Sequence, residues 1–577
     1  MKFCCAILLF FLSLNSVMAQ KLVSVLYWSE SIEGQISMRR GLESELKNQN
    51  WKIESYVAGD GPNGIKNQFN QFIEAINKKS DLIIIQPTNS TYLSKALLLA
   101  NEKNIPVIAY DQYITGGKLD AFITSDNYAA GFSNGEIAHR SFPLKKKINV
   151  IIVEYPLISS TTERLDGFLD ALKIRNREFT ILNRYEAVEP IGAKKVAQKI
   201  IADFPKPGSI DLIFTANDGA GVTLINELIK EKRFEIKHVS IDGEKESIEH
   251  LKKGFLTIGN SLQQCHELGK QTGKRAIELM NKKPFIHKTL VPTVSFERKN
   301  IHEYKGWDGD YQRKNQPMLG LMLKELMAKK SLPQSTSNKT LKIGVDPVCP
   351  YLCKSKGKWT GYMYEILNKF SKDHGLELNL TQIPSLRLTR SLEKKDVDLI
   401  LSSTGSIRFE KKLVAVSEAL GINYSAMLFL KRHSSYVNEN VMNQEDLSKF
   451  NIFIGPTSAI YLKESLNEKN INAHYILGEN STIRLIDLLK RNRADFIIED
   501  FNILNHHLTK SERESTDIRP TSVSGFNPIG LISLKNNIHS IIIAENFYHW
   551  MEKYKSSGQL KSLIKKYNVD DWTLLTR

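Results

Sequence analysis

Asp111, Asn217, Asp218 and Asp242 each follow directly on a short apolar run: Ile105-Pro106-Val107-Ile108-Ala109-Tyr110, Phe214-Thr215-Ala216 and Val239-Ser240-Ile241. Trp28-Ser29-Glu30 stands in the same relation to Val23-Ser24-Val25-Leu26-Tyr27. Carboxylates accept and amides both donate and accept hydrogen bonds, which is the chemistry of holding a small polar ligand. Singly, an Asp or Asn here is as much a helix cap or turn former; recurrence at successive run ends points to a shared site. The patterns of covalent or metal chemistry fall short. His266-Glu267-Leu268-Gly269 opens like a zinc-protease helix, but Lys270 replaces the second histidine. Gly269-Lys270-Gln271-Thr272-Gly273-Lys274-Arg275 imitates a phosphate loop, yet it is one residue short and ends in Arg. No Gly-x-Ser-x-Gly elbow occurs, and the adjacent His506 and His507 point differently. No enzyme activity, cofactor or metal is expected.

Such residues need strands to present them. Phe69, Phe72, Ile73 and Ile76 have the i, i+3, i+4, i+7 spacing of an amphipathic helix. Asp81-Leu82-Ile83-Ile84-Ile85 then reads as a strand covered on both faces. The alternation returns at Ile148 to Val153, Asp211 to Phe214 and His238 to Ile241. Repeated βα units predict an α/β fold with parallel sheets, whose ligands bind at the carboxyl ends of the strands. After Tyr311 the pattern changes. Met318 to Leu326 reads as a short helix and Pro333-Gln334-Ser335-Thr336-Ser337-Asn338 as linker. A second set of strands starts at Leu341-Lys342-Ile343-Gly344-Val345 and returns at Val397 to Leu401 and Ala494 to Ile498.

The 577 residues suffice for several cores at 41% hydrophobic and 25% charged residues. Lys2, the apolar run Ala6 to Leu12, and Val17-Met18-Ala19 have the form of a secretory signal peptide over 1–19. The apolar run is too short to span a bilayer, and nothing later approaches one. The net charge of +16 is spread along helical stretches with no nucleic-acid motif, so no nucleic-acid partner is expected. Cys349 and Cys353 could close a small disulfide loop in an oxidising compartment, with a reduced pair as the alternative; two cysteines alone make a poor zinc site.

Six segments in order resemble the type I periplasmic binding proteins, the ribose-binding and lactose-repressor-like group. They are Asp81 to Pro87, Asn104 to Asp111, Ser125 to Gly131, Arg164 to Phe168, Thr215 to Asp218 and Val239 to Gly243. The resemblance covers about residues 21–305. It implies ligand contacts at Asp111, Arg164, Asn217 and Asp242, with Asn260 or Gln263 as a closing contact; Trp28 and Glu30 join the candidates from their place after the first apolar run, where the group often carries an Asn-Pro-Phe-type loop and this chain has Trp28-Ser29-Glu30-Ser31. Such a set fits a polyol, and Trp28 or Tyr27 could stack on an apolar sugar face or serve the core. Gln112 stands where an arginine often follows the first pocket aspartate.

Residues from about 341 to 572 resemble type II binding proteins of the family 3 solute-binding group, which includes amino-acid receptors. The carriers are Lys342 to Asp346, Gly361 to Ile366, Asp396 to Ile400, Ile454 to Ser458, Arg493 to Asp500 and Ser557 to Leu560. The resemblance implies a pocket from Ser402, Ser403, Arg408, Thr457, Ser458 and Asp500. Arg408 lies two residues before the customary arginine position, which falls on Glu410. Arg387 and Arg390 could serve an anionic ligand instead, or form a solvated helix face.

The expected organisation is therefore a signal peptide (1–19), a type I module (20–307), a linker (308–340) and a type II module (341–577). Each module is a bilobal Venus flytrap that closes over its ligand. Lobe crossings are expected near Ser125, Lys253 to Thr257 and Thr293, then at Ala426 to Leu430 and Ile529 to Ser533. The implied protein is a periplasmic receptor for small molecules, sugar-like in the first module and amino-acid-like or otherwise anionic in the second. Its membrane partner would be an ABC permease or a sensor histidine kinase. The rival from another class is an enzyme or cell-wall-processing protein built on binding folds.

Overall fold

The computed structural model describes residues 20–312 apart from 60 and 157, and 318–328, 340–433, 449–458, 473–476, 480–521, 527–569 and 571–574. The expected signal peptide and the Pro333 to Asn338 linker lie outside these residues. Among the described residues no helix is long and apolar enough to cross a membrane.

The first module runs β1 (Lys21–Tyr27), α1 (Glu33–Leu46), β2 (Trp51–Val57), α2 (Gly61–Asn77), β3 (Leu82–Ile85), α3 (Ser94–Glu102), β4 (Val107–Tyr110), β5 (Ala121–Ser125) and α4 (Asn127–Arg140). It continues through β6 (Ile148–Glu154), α5 (Ser159–Ile174), β7 (Phe179–Glu186), α6 (Pro190–Asp203), β8 (Leu212–Thr215), α7 (Asp218–Lys230), β9 (Lys237–Asp242) and α8 (Lys245–Lys253). Last come β10 (Thr257–Gln263), α9 (Cys265–Met280), β11 (Lys288–Val291) and β12 (Thr293–Phe296). Two six-stranded sheets result, ordered β11-β5-β4-β3-β1-β2 and β12-β10-β9-β8-β6-β7. We call these lobes A and B. All four residues of β3 and of β4 are buried, as their uninterrupted apolar runs require. α2 forms where the spacing predicts it, with Phe72 and Ile76 fully buried.

The chain passes between the lobes three times. The passage after Ser125 and the one at Pro292, between β11 and β12, lie where expected. The third corrects the expectation: Lys253 to Thr257 stays inside lobe B between α8 and β10, and the chain crosses at Gln263–Cys265. Two helix pairs are packed through glycine. A Cβ on Gly131 of α4 would stand 1.8 Å from the Arg164 carbonyl oxygen of α5, so only hydrogen fits between the two backbones. Gly269 plays the same part between α9 and α1, where a Cβ would stand 1.9 Å from the Met38 carbonyl oxygen. The phosphate-loop lookalike is therefore a helix-packing surface.

The second module begins with β13 (Thr340–Val345), β14 (Cys353–Ser355) and β15 (Lys358–Thr360). The linker holds α10 (Met318–Ala328), whose Met322 and Leu323 are buried, so part of the expected linker is core. After β15 come α11 (Tyr362–Asp373), β16 (Glu377–Gln382), α12 (Ser385–Glu393), β17 (Leu399–Ser403), β18 (Leu413–Ala415), β19 (Gly421–Asn423) and β20 (Ser425–Leu430). Then follow β21 (Ile452–Ile454), β22 (Ala473–Tyr475), α13 (Ser481–Lys490), β23 (Phe496–Asp500), α14 (Phe501–His507), α15 (Lys510–Ser515), β24 (Thr516–Pro520), β25 (Asn527–Leu534), α16 (Ile538–Ser556) and α17 (Gln559–Tyr567). Lobe C carries the sheet β16-β13-β17-β25-β18 and lobe D the sheet β22-β21-β23-β20-β24. Ala426 to Leu430 lies within lobe D and Ile529 to Ser533 within lobe C, so both expected crossings are displaced. One passage is at Asn423–Ser425, between β19 and β20; the other lies between β24 and β25. Cys349 and Cys353 are joined as a disulfide, their Cα atoms 4.8 Å apart.

Candidate functional site

The first cleft is organised by Arg164. The glycine contact of α4 with α5 brings this side chain, 5% exposed, against lobe B's strand ends. Its Nε donates to Asn127 Oδ1 at 2.9 Å, and its Nη1 to the Ala216 carbonyl at 2.8 Å and Asp242 Oδ1 at 3.0 Å. The same Asp242 oxygen accepts from Gln263 Nε2 at 2.5 Å, and Gln263 Oε1 accepts from Ser125 Oγ at 2.8 Å. Ser125 and Gln263 both end strands at lobe crossings, so one network ties Arg164 to the hinge.

Lobe A presents Asp111 directly after β4, with a left-handed φ of 65°. A non-glycine residue held at positive φ stores strain, and such residues cluster where a side chain must be aimed. Gln86 Nε2 donates to Asp111 Oδ2 at 3.2 Å. Burial is the main influence on this carboxyl and pushes it up to about 6, although Gln86 and the charge of Arg164 pull the other way. Asp242 also has positive φ, 128°. Across the cleft, Gln112 Nε2 of lobe A donates to Ser160 Oγ of lobe B at 3.3 Å. The residue standing in the arginine position therefore bridges the lobes.

Trp28 is half-buried directly after β1, while Tyr27 is a core residue with Arg39 4.5 Å from its ring centre, which removes it as a stacking surface. Glu30 is exposed and paired with Arg39 at 3.3 Å. Asn217 caps α7, accepting from the Ala220 amide and donating to the Val188 carbonyl at 2.9 Å. Asn260 is fully buried on β10, donating to Asp218 at 2.8 Å and Ser247 at 2.9 Å. Of the two candidates for a closing contact, Gln263 is the one that reaches Asp242 in the cleft. Sequence reasoning assigned no contact to Gln86, Ser125, Asn127 or Trp307. Gln86 had a visible signal, since it follows β3 as Asp111 follows β4. Trp307 had none, yet its Nε1 donates to the Asp242 carbonyl at 2.7 Å and its ring lies against Gly34 of lobe A.

The second cleft departs further from expectation. Arg408 turns away from it: its Nε lies 2.5 Å from Asp166 Oδ1 of the first module. Thr457 and Ser458 direct their amides to the module's own Glu499, at 3.3 and 3.2 Å, and Ser458 Oγ bonds Ser425 Oγ at 2.7 Å. Asp500 is fully buried, caps α14 by accepting from the Ile503 amide, and accepts from Tyr351 at 2.9 Å and the Tyr424 amide at 3.2 Å. Burial pushes Glu499 up to about 7 and Asp500 up to about 8. Ser458 and Asp500 thus hold Ser425 and Tyr424 at the second hinge, while Thr457 meets Glu499. Ser402 and Ser403 end β17 as expected, and Arg387 is exposed near the start of α12, which Asp346 anchors through Ser385 at 2.5 Å. Arg390, also on α12, is exposed as well.

Residues 23–284 match the family described as periplasmic binding protein domain, and residues 341–570 match bacterial extracellular solute-binding proteins, family 3. The ribose import binding protein RbsB of Bacillus subtilis is 25% identical over 265 residues, spanning 45% of this chain and 82% of that protein. The xylitol-binding protein of Mycolicibacterium smegmatis is 25% identical over 232 residues, 39% of this chain and 62% of that one. Among solved structures, a periplasmic solute binding protein from Actinobacillus succinogenes with bound D-allose is 23% identical, with a TM-score of 0.43 over 49% of this chain and 100% of its own. The Caulobacter myo-inositol binding protein is 21% identical, with a TM-score of 0.44 over 49% and 95%.

Proposed function

We propose that this chain, a tandem fusion of a type I, ribose-binding-like periplasmic binding module and a family 3 solute-binding module, is a periplasmic receptor that captures a polyol in its first cleft. The single observation that carries this is the convergence on one cleft of Asp111 from lobe A, Arg164 and Asp242 from lobe B, and Gln263 from the hinge. Asp242 neutralises Arg164, leaving a site of paired charge and amides that suits hydroxyl groups better than an anion. Relatives named for ribose and xylitol support the same class. Lobe closure buries the ligand and makes the closed form the one a membrane partner recognises, an ABC permease or a sensor kinase.

For the second module we retain a small extracellular solute as ligand. With Arg408 held by Asp166, Arg387 and Arg390, both exposed on α12, are the guanidiniums we assign to an anionic end. Titration calorimetry of the full chain against ribose, xylitol, allose and myo-inositol, then against amino acids, tests both clefts. Saturable polyol binding that Asp111→Ala abolishes supports the assignment; polyol binding that survives this change, or no polyol binding, defeats it.

A further inference from the structure

The main contacts between the modules join lobe B to lobe C and lobe A to lobe D. Lobe B meets lobe C along α5 and β7. Besides the Arg408–Asp166 pair, Lys173, 2% exposed, pairs with Asp170 at 3.4 Å and donates to the Ile407 carbonyl at 3.4 Å. Lys535 donates to the Lys173 carbonyl at 3.2 Å, and Arg184 sits 4.5 Å from the Phe409 ring centre. A partly open pocket of about 60 Å³ at the seam is lined by Asp166, Asp170 and Lys173 of the first module and by Arg408, Ser417 and Glu418 of the second. Lobe A meets lobe D through a smaller contact: α3 packs on β24, and a Cβ on Gly116 would stand 3.0 Å from Pro520 Cγ.

We infer that the two clefts are mechanically coupled, so that the state of the first sets the state of the second. Lobes A and B join at the first hinge, B and C through the buried Arg408–Asp166 pair and the hydrogen bonds beside it, C and D at the second hinge, and D and A through Pro520. Four bodies in a closed ring cannot change one angle alone. When A rotates against B, either D moves against C or Gly116 parts from Pro520. Arg164, the binding residue, and Asp166, Asp170 and Lys173, the seam residues, all lie on α5, a single rigid rod. That is a coupling element with a physical path between two sites, as allostery requires. The inference rests on the first module being a hinged clamshell.

The test needs no ligand. Gln112 and Ser160 touch across the first cleft at 3.3 Å through the tip of the glutamine side chain, so the variant Gln112→Cys with Ser160→Cys, bridged by a short thiol-reactive crosslinker and checked by intact mass, locks lobes A and B together. Hydrogen exchange of the full chain is compared with that of each single variant. The amides of Tyr424 and Phe501, bonded to Asp500 and to the Tyr424 carbonyl, report the second hinge. Locking is expected to slow exchange there by about threefold or more, because local opening sets the rate. Adding Pro520→Ala should restore the single-variant rate at the second hinge while Ser125 to Asn127 stays protected. Protection at Ser125 to Asn127 with an unchanged second hinge overturns the coupling alone. Slowing that survives Pro520→Ala overturns the ring as its route. No protection at Ser125 to Asn127 defeats the clamshell reading and the coupling with it.

Discussion

Gly131→Ala changes no group that touches the cleft, yet it should disable it. The added Cβ would stand 1.8 Å from the Arg164 carbonyl oxygen, and Cβ atoms essentially never come within 3.0 Å of a heavy atom, so α4 and α5 must part by about 1.2 Å. The obstacle is backbone, so no rotamer change relieves it. Asn127 begins α4 and Arg164 lies on α5, so the parting stretches their 2.9 Å hydrogen bond to about 4 Å, past the limit of a useful one. Overpacking costs about 1–3 kcal/mol, and losing a hydrogen bond to a charged group about 1.5–3 kcal/mol. Alanine's better helix propensity returns about 1 kcal/mol. The net is a loss of about 1.5–5 kcal/mol, which lowers the first module's midpoint by roughly 3–20 °C at this domain size. Differential scanning calorimetry reads the midpoint and titration calorimetry the polyol affinity, which should fall at least about tenfold with the loss of Arg164 placement. A midpoint unchanged or raised, with full affinity, would refute the close helix contact and with it the account of how Arg164 is positioned.

Asp111→Ala should remove polyol binding and leave the second module's intrinsic affinity for its own ligand intact when that ligand is titrated with the first cleft empty. The Asp166–Arg408 pair is 17% and 9% exposed at its side chains. Asp166→Ala and Arg408→Ala should each cost about 3 kcal/mol, and the double variant clearly less than the sum, because either single change strands a buried charge; additive losses by urea unfolding would exclude the pair as a coupled unit. Asp500, raised from 3.8 to about 8, keeps its proton in the folded chain and loses it in the unfolded one between those values. Folding then binds a proton, so the second module's stability should be greatest below pH 4 from this group and fall as pH rises toward 8. Asp500→Asn should flatten that slope, as read by thermal midpoints from pH 5 to 8; an unchanged slope would assign it elsewhere.

The parallel sheets and the strand-end aspartates were legible because buried parallel strands leave uninterrupted apolar runs, and the chain reverses only where they end. Facing was not. Asn260 and Gln263 both lie on β10, three residues apart and hence on opposite faces; one is spent holding Asp218, while the other ends the strand at the crossing. Nothing local distinguishes them. In the same way Glu499 and Asp500 are adjacent carboxylates, and only the fold shows that the first caps the amides of Thr457 and Ser458.

Arg408 shows a different limit. An arginine soon after the fourth strand of such a module suggests a ligand anchor, and within that module alone the inference is sound. What redirects it is Asp166, 242 residues earlier, on the helix that carries Arg164. A motif records what one module needs in isolation. A fused pair can spend the same residue on the joint, and the residue type is unchanged when it does. Burial of two opposite charges in that joint costs desolvation of both, which apolar packing would avoid; a pair that fits only one relative placement of the modules fixes their register. The joint therefore favours one arrangement of four lobes, and in that arrangement opening the first cleft either works on the second or parts Gly116 from Pro520.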